Sequence, residues 1–312
     1  MASVPIEIHR LLAVQHGQVA RDQLLEHLSA NQIKHLSRRG DLSTAGRNVY
    51  RSPSFTETEL SRCAALCLGR PGVVIAGPTA GRLWEFRKMT ADQRLHVLMS
   101  PHANSVQTTR SIVARRTSTL SDHDVELRVD SIRVTSRART CLDLARHVRP
   151  DPLLSVIEQA MLDGNLNETD MRAVAIGLIH RRPWVRTYLA QLDRRLDGAP
   201  GESDGEVRIG DALVAHGVRG LVRQYPMTLP GHGTVRFDLA VPRLMWAVEV
   251  DLFPTHEQTI GAASDARRDL ASTRAGWAVR RVTRCQYDSE FNATIAGLVA
   301  DVRNRALLFG LP

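Results

Sequence analysis

Two short apolar runs near the C-terminus of this chain carry acidic residues inside them. Asp238 lies in the first run, and Glu249 and Asp251 lie in the second, which extends from Trp246. Such runs predict buried β-strands, and an ionised carboxylate inside one is costly unless a positive group pairs with it. Because strand side chains alternate between faces, Glu249 and Asp251 should share one face, and Asp238 could face the same point from the preceding strand.

Two partners for these carboxylates remain open. A divalent metal ion is the first, since acids on adjoining strands that converge on one point suit a metal-dependent phosphodiesterase. The second is a salt bridge from Arg236 or Arg243 to a single buried Asp238. The three acids taken together, with His256 close behind them, favour the metal site.

The length and charge of the chain constrain its organisation. A chain of 312 residues predicts two or three domains. Residues 1–120 hold 16 of the 41 Lys/Arg residues but only 8 of the 33 Asp/Glu residues, so the net charge of +8 lies entirely in this part. A one-sided basic region is expected of a phosphate-binding surface. The alternative is an arginine-rich composition throughout, because Lys34 and Lys88 are the only lysines.

The first 60 residues predict a winged helix that binds DNA. Apolar spacing indicates helices at about 6–16, 20–28 and 30–39, and a hairpin follows at 41–51. The third helix would enter the major groove while the hairpin follows the backbone. The candidate DNA-binding residues are Asn31, Gln32, Lys34, His35, Arg38 and Arg39 on the helix, and Arg47 and Arg51 on the hairpin. The alternatives are a helical domain with a solvated polar face and a winged helix that binds protein.

The rest of the chain predicts an α/β architecture. Residues 61–196 indicate a mixed α/β and then helical middle region without readable chemistry, which leaves a protein partner there as an open hypothesis. A linker is predicted at 197–205, followed by α-β-β-β-α-β-α order over 206–312. A homodimer stays open, since winged helices often dimerise but no heptad seam is visible.

The cysteines and the hydropathy predict a cytoplasmic protein with no membrane partner. Four cysteines are scattered, and no apolar run reaches the length of a membrane span or forms a signal peptide. Cys63 and Cys67 lie one helical turn apart. A zinc site would need further ligands close by, so buried thiols are favoured there.

The C-terminal region resembles the nuclease-like domain related to very-short-patch repair endonucleases, within the PD-(D/E)XK superfamily. The resemblance covers about residues 201–285. Its carriers are Arg236-Phe237-Asp238, Val248-Glu249-Val250-Asp251, His256, Asp265-Ala266-Arg267-Arg268-Asp269-Leu270 and Gly276-Trp277-Ala278-Val279-Arg280. It implies a restriction-endonuclease-like α/β core.

The N-terminal region resembles the winged-helix domain of the abortive-infection type IV antitoxin family. The carriers are Gln15-His16-Gly17-Gln18-Val19, Gln23-Leu24-Leu25, Asn48-Val49-Tyr50, the segment from Gly77 to Trp84 and the segment from Val134 to Leu144. Together the two resemblances imply a multi-domain DNA-binding protein.

The nuclease resemblance assigns roles to particular residues. Asp238 and Glu249 would hold Mg²⁺ or Mn²⁺ with the carbonyl oxygen of Val250, and Glu206 would complete the site. Asp251 occupies a position where the superfamily often has lysine. Further implied roles are those of His256 as general base and of Arg268 and Arg236 as clamps for a phosphate or for the acids.

Two hypotheses of function follow. The first is a DNA-binding, metal-dependent endonuclease that hydrolyses phosphodiester bonds. The second is a catalytically inactive DNA-binding regulator or antitoxin-like protein. Asp251 in place of lysine, and Leu252 where the family has glycine, are the residues that keep the second hypothesis open.

Overall fold

Helices and strands alternate along the chain, which is a multi-domain α/β protein. The computed structural model describes residues 4–89, 92–101, 106–176, 178, 182–252 and 258–311, and of 258–265 it describes only the helical backbone. The chain divides into two units, residues 1–148 and 149–312. None of the helices in these described ranges is long and apolar enough to cross a bilayer.

The first unit begins with the predicted winged-helix arrangement. Its elements are α1 (Ile6–Val14), β1 (Gln18–Ala20), α2 (Arg21–Leu25), α3 (Ala30–Arg39), β2 (Ser43–Gly46) and β3 (Val49–Arg51). The strands form an antiparallel sheet in the order β1-β3-β2. Ser29 caps α3 through the backbone N–H of Gln32, and Gly40 ends the helix at a φ of 82°. Ile33 and Leu36 are buried, as their spacing predicts.

A second sheet completes the first unit. Its elements are α4 (Glu59–Gly69), β4 (Val73–Ile75), α5 (Gly77–Leu83), β5 (Leu95–Met99), β6 (Ile112–Arg116), β7 (Val125–Leu127), β8 (Arg133–Thr135) and α6 (Arg137–Leu144). The strand order is β6-β5-β4-β8-β7, with parallel β5–β6 and β4–β8 pairs. Cys63 and Cys67 are buried free thiols on α4, and burial raises the pKa of Cys67 to about 11.

The second unit combines three helices with the predicted α/β core. Its elements are α7 (Pro150–Gly164), α8 (Glu168–Ala173), α9 (Pro183–Asp193), β9 (Asp197–Gly198), α10 (Asp204–Ala215), β10 (Val222–Leu229), β11 (Gly233–Val241), β12 (Trp246–Asp251), α11 (Gln258–Arg274), β13 (Ala278–Thr283), α12 (Arg284–Ser289) and α13 (Phe291–Leu308). The sheet has the order β13-β12-β11-β10-β9. The β10–β11 and β11–β12 pairs are antiparallel, and the β12–β13 pair is parallel.

Apolar side chains cover both faces of this sheet. Trp246 and Val248 pack in a core with residues of α10 and α13, whereas Ala247 packs with Phe237 and Trp277 in a second cluster. The alternation predicted for β12 is therefore present in its first half, and it leaves Glu249 on the side away from Val248.

The segment 197–205 differs from the predicted linker. Asp197–Gly198 pair with β10 in parallel, and the backbone N–H of Gly201 donates to Glu158 of α7 at 3.0 Å. These contacts join α7–α9 to the C-terminal core. Glycine, serine and aspartate favour turns, but here the turn residues run along a sheet edge and into a helix cap at Ser203.

A fully buried carboxylate, Glu158, holds this junction. It accepts from Arg223 Nη1 of β10 at 2.6 Å and from Arg195 Nε at 2.9 Å. Arg223 is also fully buried. Removing one partner of such a pair leaves the other charge uncompensated.

We expect Glu158→Gln to destabilise the second unit by about 3–5 kcal/mol, because Arg223 then keeps its charge without a buried counter-ion. Urea unfolding followed by tryptophan fluorescence measures this, since Trp184, Trp246 and Trp277 all lie in the second unit. Asp288→Asn is the control. Asp288 pairs with Arg284 at the surface of the same unit, where such a pair contributes about 0–1 kcal/mol. Equal effects of the two substitutions would contradict the assignment.

Candidate functional site

Three polar residues form a row of register partners across β10, β11 and β12. Gln224 falls opposite Asp238, between the paired positions 223/239 and 225/237. Asp238 in turn falls opposite Glu249, one position beyond the β11–β12 pair 239/248. The register therefore brings together the two acids that the sequence predicted and adds a glutamine that it did not.

Asp238 lies where the β11–β12 ladder ends. Its Oδ2 accepts the backbone N–H of Val250 at 2.7 Å, in place of a backbone carbonyl. Burial raises the pKa of Asp238 to about 7; the Val250 N–H opposes this shift, and the nearby Glu206 and Glu249 carboxylates add to it. A carboxyl in this state takes up a proton near neutral pH unless a cation compensates its charge.

Only one of the two carboxylate oxygens of Glu249 has a positively charged partner. Arg268 of α11 donates from Nη2 to its Oε2 at 2.7 Å. Its second oxygen, Oε1, is buried and has no hydrogen-bond partner among the described residues. Burial raises the pKa of Glu249, although Arg268 and Arg281 act in the opposite direction. Arg268 thus occupies the predicted position of a group that offsets the acids.

Glu206 joins the site from the first turn of α10. It is 4% exposed, and its Oε2 accepts from the Gln224 amide at 2.6 Å and from the Glu202 N–H at 3.0 Å. Ser203 caps the helix through the Glu206 N–H, which fixes the start of α10 at this point. The structure thus orients the Glu206 carboxylate with two donors beside Asp238.

Gln224 is the site residue that the sequence analysis missed. It has a φ of +50°, which is rare for a residue with a side chain, and it is 3% exposed. Its neighbour Arg223 also reaches α10, close to Gly210, so two successive side chains approach the same helix. Regular strand alternation forbids this, and the left-handed conformation of Gln224 makes it feasible. A glutamine inside a short run carries no pattern that would distinguish it.

The other predicted residues of this site lie at its edges. Asp251 is exposed at the end of β12, and Arg236 forms an ion pair with Glu202. The Val250 N–H donates to Asp238. Metal binding by the Val250 carbonyl oxygen stays a prediction. His256, the predicted general base, lies outside the described residues. Leu252 is buried, with its side chain against Gly205 of α10.

The donor set suits a hard divalent cation. Within the described ranges, no group of three or more His, Cys, Asp or Glu residues is arranged to hold a metal ion. Two carboxylates and an amide oxygen are nevertheless present, and the Oε1 atoms of Glu249 and Gln224 are both buried without a partner in the described part of the chain. Mg²⁺ and Mn²⁺ accept such oxygen ligands and keep several water ligands.

The candidate DNA-binding residues fall into two groups. Asn31, Lys34, His35 and Arg38 are exposed on α3. Gln32 is exposed, but its amide oxygen accepts the Ser29 N–H. Arg39 pairs with Asp41 at 3.1 Å.

On the hairpin, Arg47 is exposed, whereas Arg51 is half-buried and donates to Glu57 at 2.6 Å. Arg51 is therefore engaged within the unit. The exposed cations of this region are concentrated on α3 and at the hairpin tip.

Comparisons with known proteins leave the family of this chain undefined. No family model matches it, and no curated protein matches it. The solved structure of RV2827C protein from Mycobacterium tuberculosis aligns with 62% of this chain and 78% of its own, at a TM-score of 0.40 and 12% identity. That likeness is too weak to define function.

We expect Asp238→Asn to stabilise the metal-free protein at pH 8. The folded-state pKa of Asp238, about 7, lies above the ordinary pKa of an aspartate side chain, 3.8. Its contribution to stability is therefore fully present below pH ~4 and is lost as the pH rises through about 7. Asparagine removes this loss, which should raise stability at pH 8 by up to about 4 kcal/mol, since one pKa unit corresponds to about 1.4 kcal/mol. Thermal unfolding in EDTA between pH 5 and 8 measures the effect.

The matched control is Asp251→Asn, because Asp251 is exposed at the end of the same strand. A gain for Asp238→Asn that does not grow with pH would show that burial does not destabilise the ionised form of Asp238.

Proposed function

We propose that this protein is a DNA-binding, metal-dependent endonuclease that hydrolyses phosphodiester bonds in its C-terminal unit. The observation that carries the proposal is the row formed by Gln224, Asp238 and Glu249, in which two half-buried carboxylates have little positive charge around them. A structural salt bridge would supply that charge from the chain. Arg268 supplies part of it, to Glu249 alone.

Asp238 and Glu249 would hold the Mg²⁺ or Mn²⁺ ion, with the Gln224 amide oxygen beside them. When bound, the ion polarises the scissile phosphate and lowers the pKa of a water ligand. Glu206, fixed by two hydrogen bonds, would accept a proton or order a water molecule. Arg268 would orient Glu249 and bind a phosphate oxygen.

DNA binding would come from α3. Lys34, Arg38 and His35 form an exposed, basic surface on a helix that is capped at both ends. Such a helix suits the major groove. A DNA substrate, together with the free cysteines of the chain, leads us to infer a cytoplasmic location.

One observation favours a second function, an inactive DNA-binding regulator with an antitoxin-like role. The position next to Val250 carries Asp251, an exposed acid, where a nuclease of the resembled superfamily often has a lysine that orients water. The two functions share the DNA-binding surface. They differ in cleavage.

We expect the wild-type protein to nick supercoiled plasmid with Mg²⁺ or Mn²⁺ and not in EDTA. Asp238→Ala and Glu249→Ala should lower the rate by at least about 100-fold, because each removes a direct metal ligand. Glu290→Gln is the control, since Glu290 is an exposed acid of the same unit at the start of α13. Gel analysis of nicked and linear products measures the rate.

Three outcomes separate the functions. Cleavage that survives both alanine substitutions would exclude this site. A protein that shifts DNA but never cuts it would leave the regulator. A protein that does neither would exclude both functions and turn attention to protein recognition.

We expect the affinity for DNA to fall steeply with salt and to depend on α3. Each phosphate contact contributes a slope of about −0.9 in a plot of log K against log [salt], so Lys34→Gln with Arg38→Gln should reduce the slope by roughly 2. Arg303→Gln is the control, because Arg303 is an exposed cation of α13. Fluorescence anisotropy with a labelled duplex measures it at 50–300 mM KCl, a range over which the Debye length falls from about 14 Å to about 6 Å. An unchanged slope in the double variant would contradict the assignment to α3.

A further inference from the structure

A second polar row crosses the small sheet of the first unit. Gln18 of β1 and Ser43 of β2 are both register partners of Arg51 on the central strand β3. Directly paired residues project from the same face of a sheet. Val19 and Tyr50, on the other face, pack in the core formed by α1–α3. The polar row is therefore on the face that α4 covers.

The space between this face and α4 is a cavity of ≈ 320 Å³. Its walls include the row of Gln18, Arg51 and Ser43 on the sheet side, and Arg62 and Ala65 on α4. A volume at the lower end of the range for ligand pockets suits a small molecule. Since one water takes up about 30 Å³, the cavity far exceeds the space that a bridging water needs.

Two buried polar atoms in the cavity wall have no partner in the described part of the chain. They are Oε1 of Gln18 and Nε of Arg51. Gln18 is 2% exposed, so its amide is deeply buried. A buried donor or acceptor left unsatisfied costs about 1–3 kcal/mol, which makes a matching ligand favourable.

The charges of the wall define the ligand. Arg51 and Arg62 are two guanidinium groups, against the single carboxylate of Glu57, which binds Arg51 Nη1 at 2.6 Å. The surplus is one positive charge. Arg51 Nε needs an acceptor, whereas the Gln18 oxygen needs a donor. A carboxylate or phosphate with a neighbouring hydroxyl group supplies both.

We propose that this cavity binds a small oxyanion, a carboxylate or phosphate ester that also carries a hydroxyl group. Arg62 and Arg51 bind the anionic group, and the Gln18 amide oxygen accepts a hydrogen bond from the hydroxyl group. The site lies wholly in the first unit and does not rest on the proposed nuclease activity.

Isothermal titration of the full chain with citrate and with glycerol 3-phosphate tests the proposal, with NaCl of equal ionic strength as the blank. One of the two should bind with a stoichiometry of one. Binding of citrate alone identifies a carboxylate site, and binding of glycerol 3-phosphate alone identifies a phosphate site. Arg62→Gln should weaken binding by about tenfold or more, because it removes a charged hydrogen-bond donor.

Two further variants keep the test decisive. Arg10→Gln removes one exposed cation from α1 in the same unit and should leave the affinity unchanged. Ala65→Met should fill the cavity and abolish binding while its unfolding temperature in buffer stays at or above that of the wild type. Absence of binding above the NaCl blank for both probes would overturn the proposal. Equal affinities of the wild type and both cavity variants would overturn it as well.

Discussion

The second unit depends on how it compensates its buried charges. Two successive residues of β10 bind two different buried acids. Arg223 pairs with Glu158, which also receives Arg195 and a backbone N–H, so that acid is fully satisfied by the chain. Gln224, the next residue, binds Glu206 beside Asp238, where the chain supplies few donors. The φ of +50° at Gln224 is what lets both side chains reach α10. A strained residue in the middle of a strand costs about 1–3 kcal/mol, and the two acidic clusters that it serves explain why it persists.

The contrast between these clusters separates a structural ion pair from a candidate reactive site. The Glu158 carboxylate forms ion pairs with Arg195 and Arg223, and these pairs join α7 to the sheet. At Asp238 the strongest effect is burial, and the charged groups that shift its pKa are the carboxylates of Glu206, Glu249 and Glu202, so the pKa rises to about 7. An apolar residue of similar volume at such a position would avoid the desolvation cost of the acid. The two acids and the amide in one row are therefore the basis on which we propose a cation site.

The sequence predicted the parts of this fold that depend on local periodicity. The helix over Ala30–Arg39 has its predicted bounds, and Asp238 and Glu249 lie on strands as their apolar runs predicted, because burial pattern and caps act over short distances. The convergence of Asp238 and Glu249 was also predictable from strand order. Glu158 was not, since its partners are 37 and 65 residues away and only the folded chain brings them together. For the same reason the segment 197–205 resembled a linker, although Gly201 is bound to Glu158 in the core. The position of the Gln224 side chain depends on a single backbone dihedral, its φ of +50°, which no pattern of residues in the sequence predicts.

The small sheet of the first unit shows how covering a surface changes the function of its residues. In a free winged helix the hairpin is exposed on one face, and a residue such as Arg51 would be available to a phosphate of DNA. Here α4 lies against that face, and Arg51 is held by Glu57. The hairpin therefore contributes Arg47 at its tip, while its covered face surrounds a cavity that contains unsatisfied polar atoms. The proposed DNA contacts are then left mainly to α3. Ser43 belongs both to the hairpin and to the cavity wall. A ligand bound there would contact the strand that positions the hairpin tip, and so would connect the proposed DNA-binding region directly to the proposed small-molecule site.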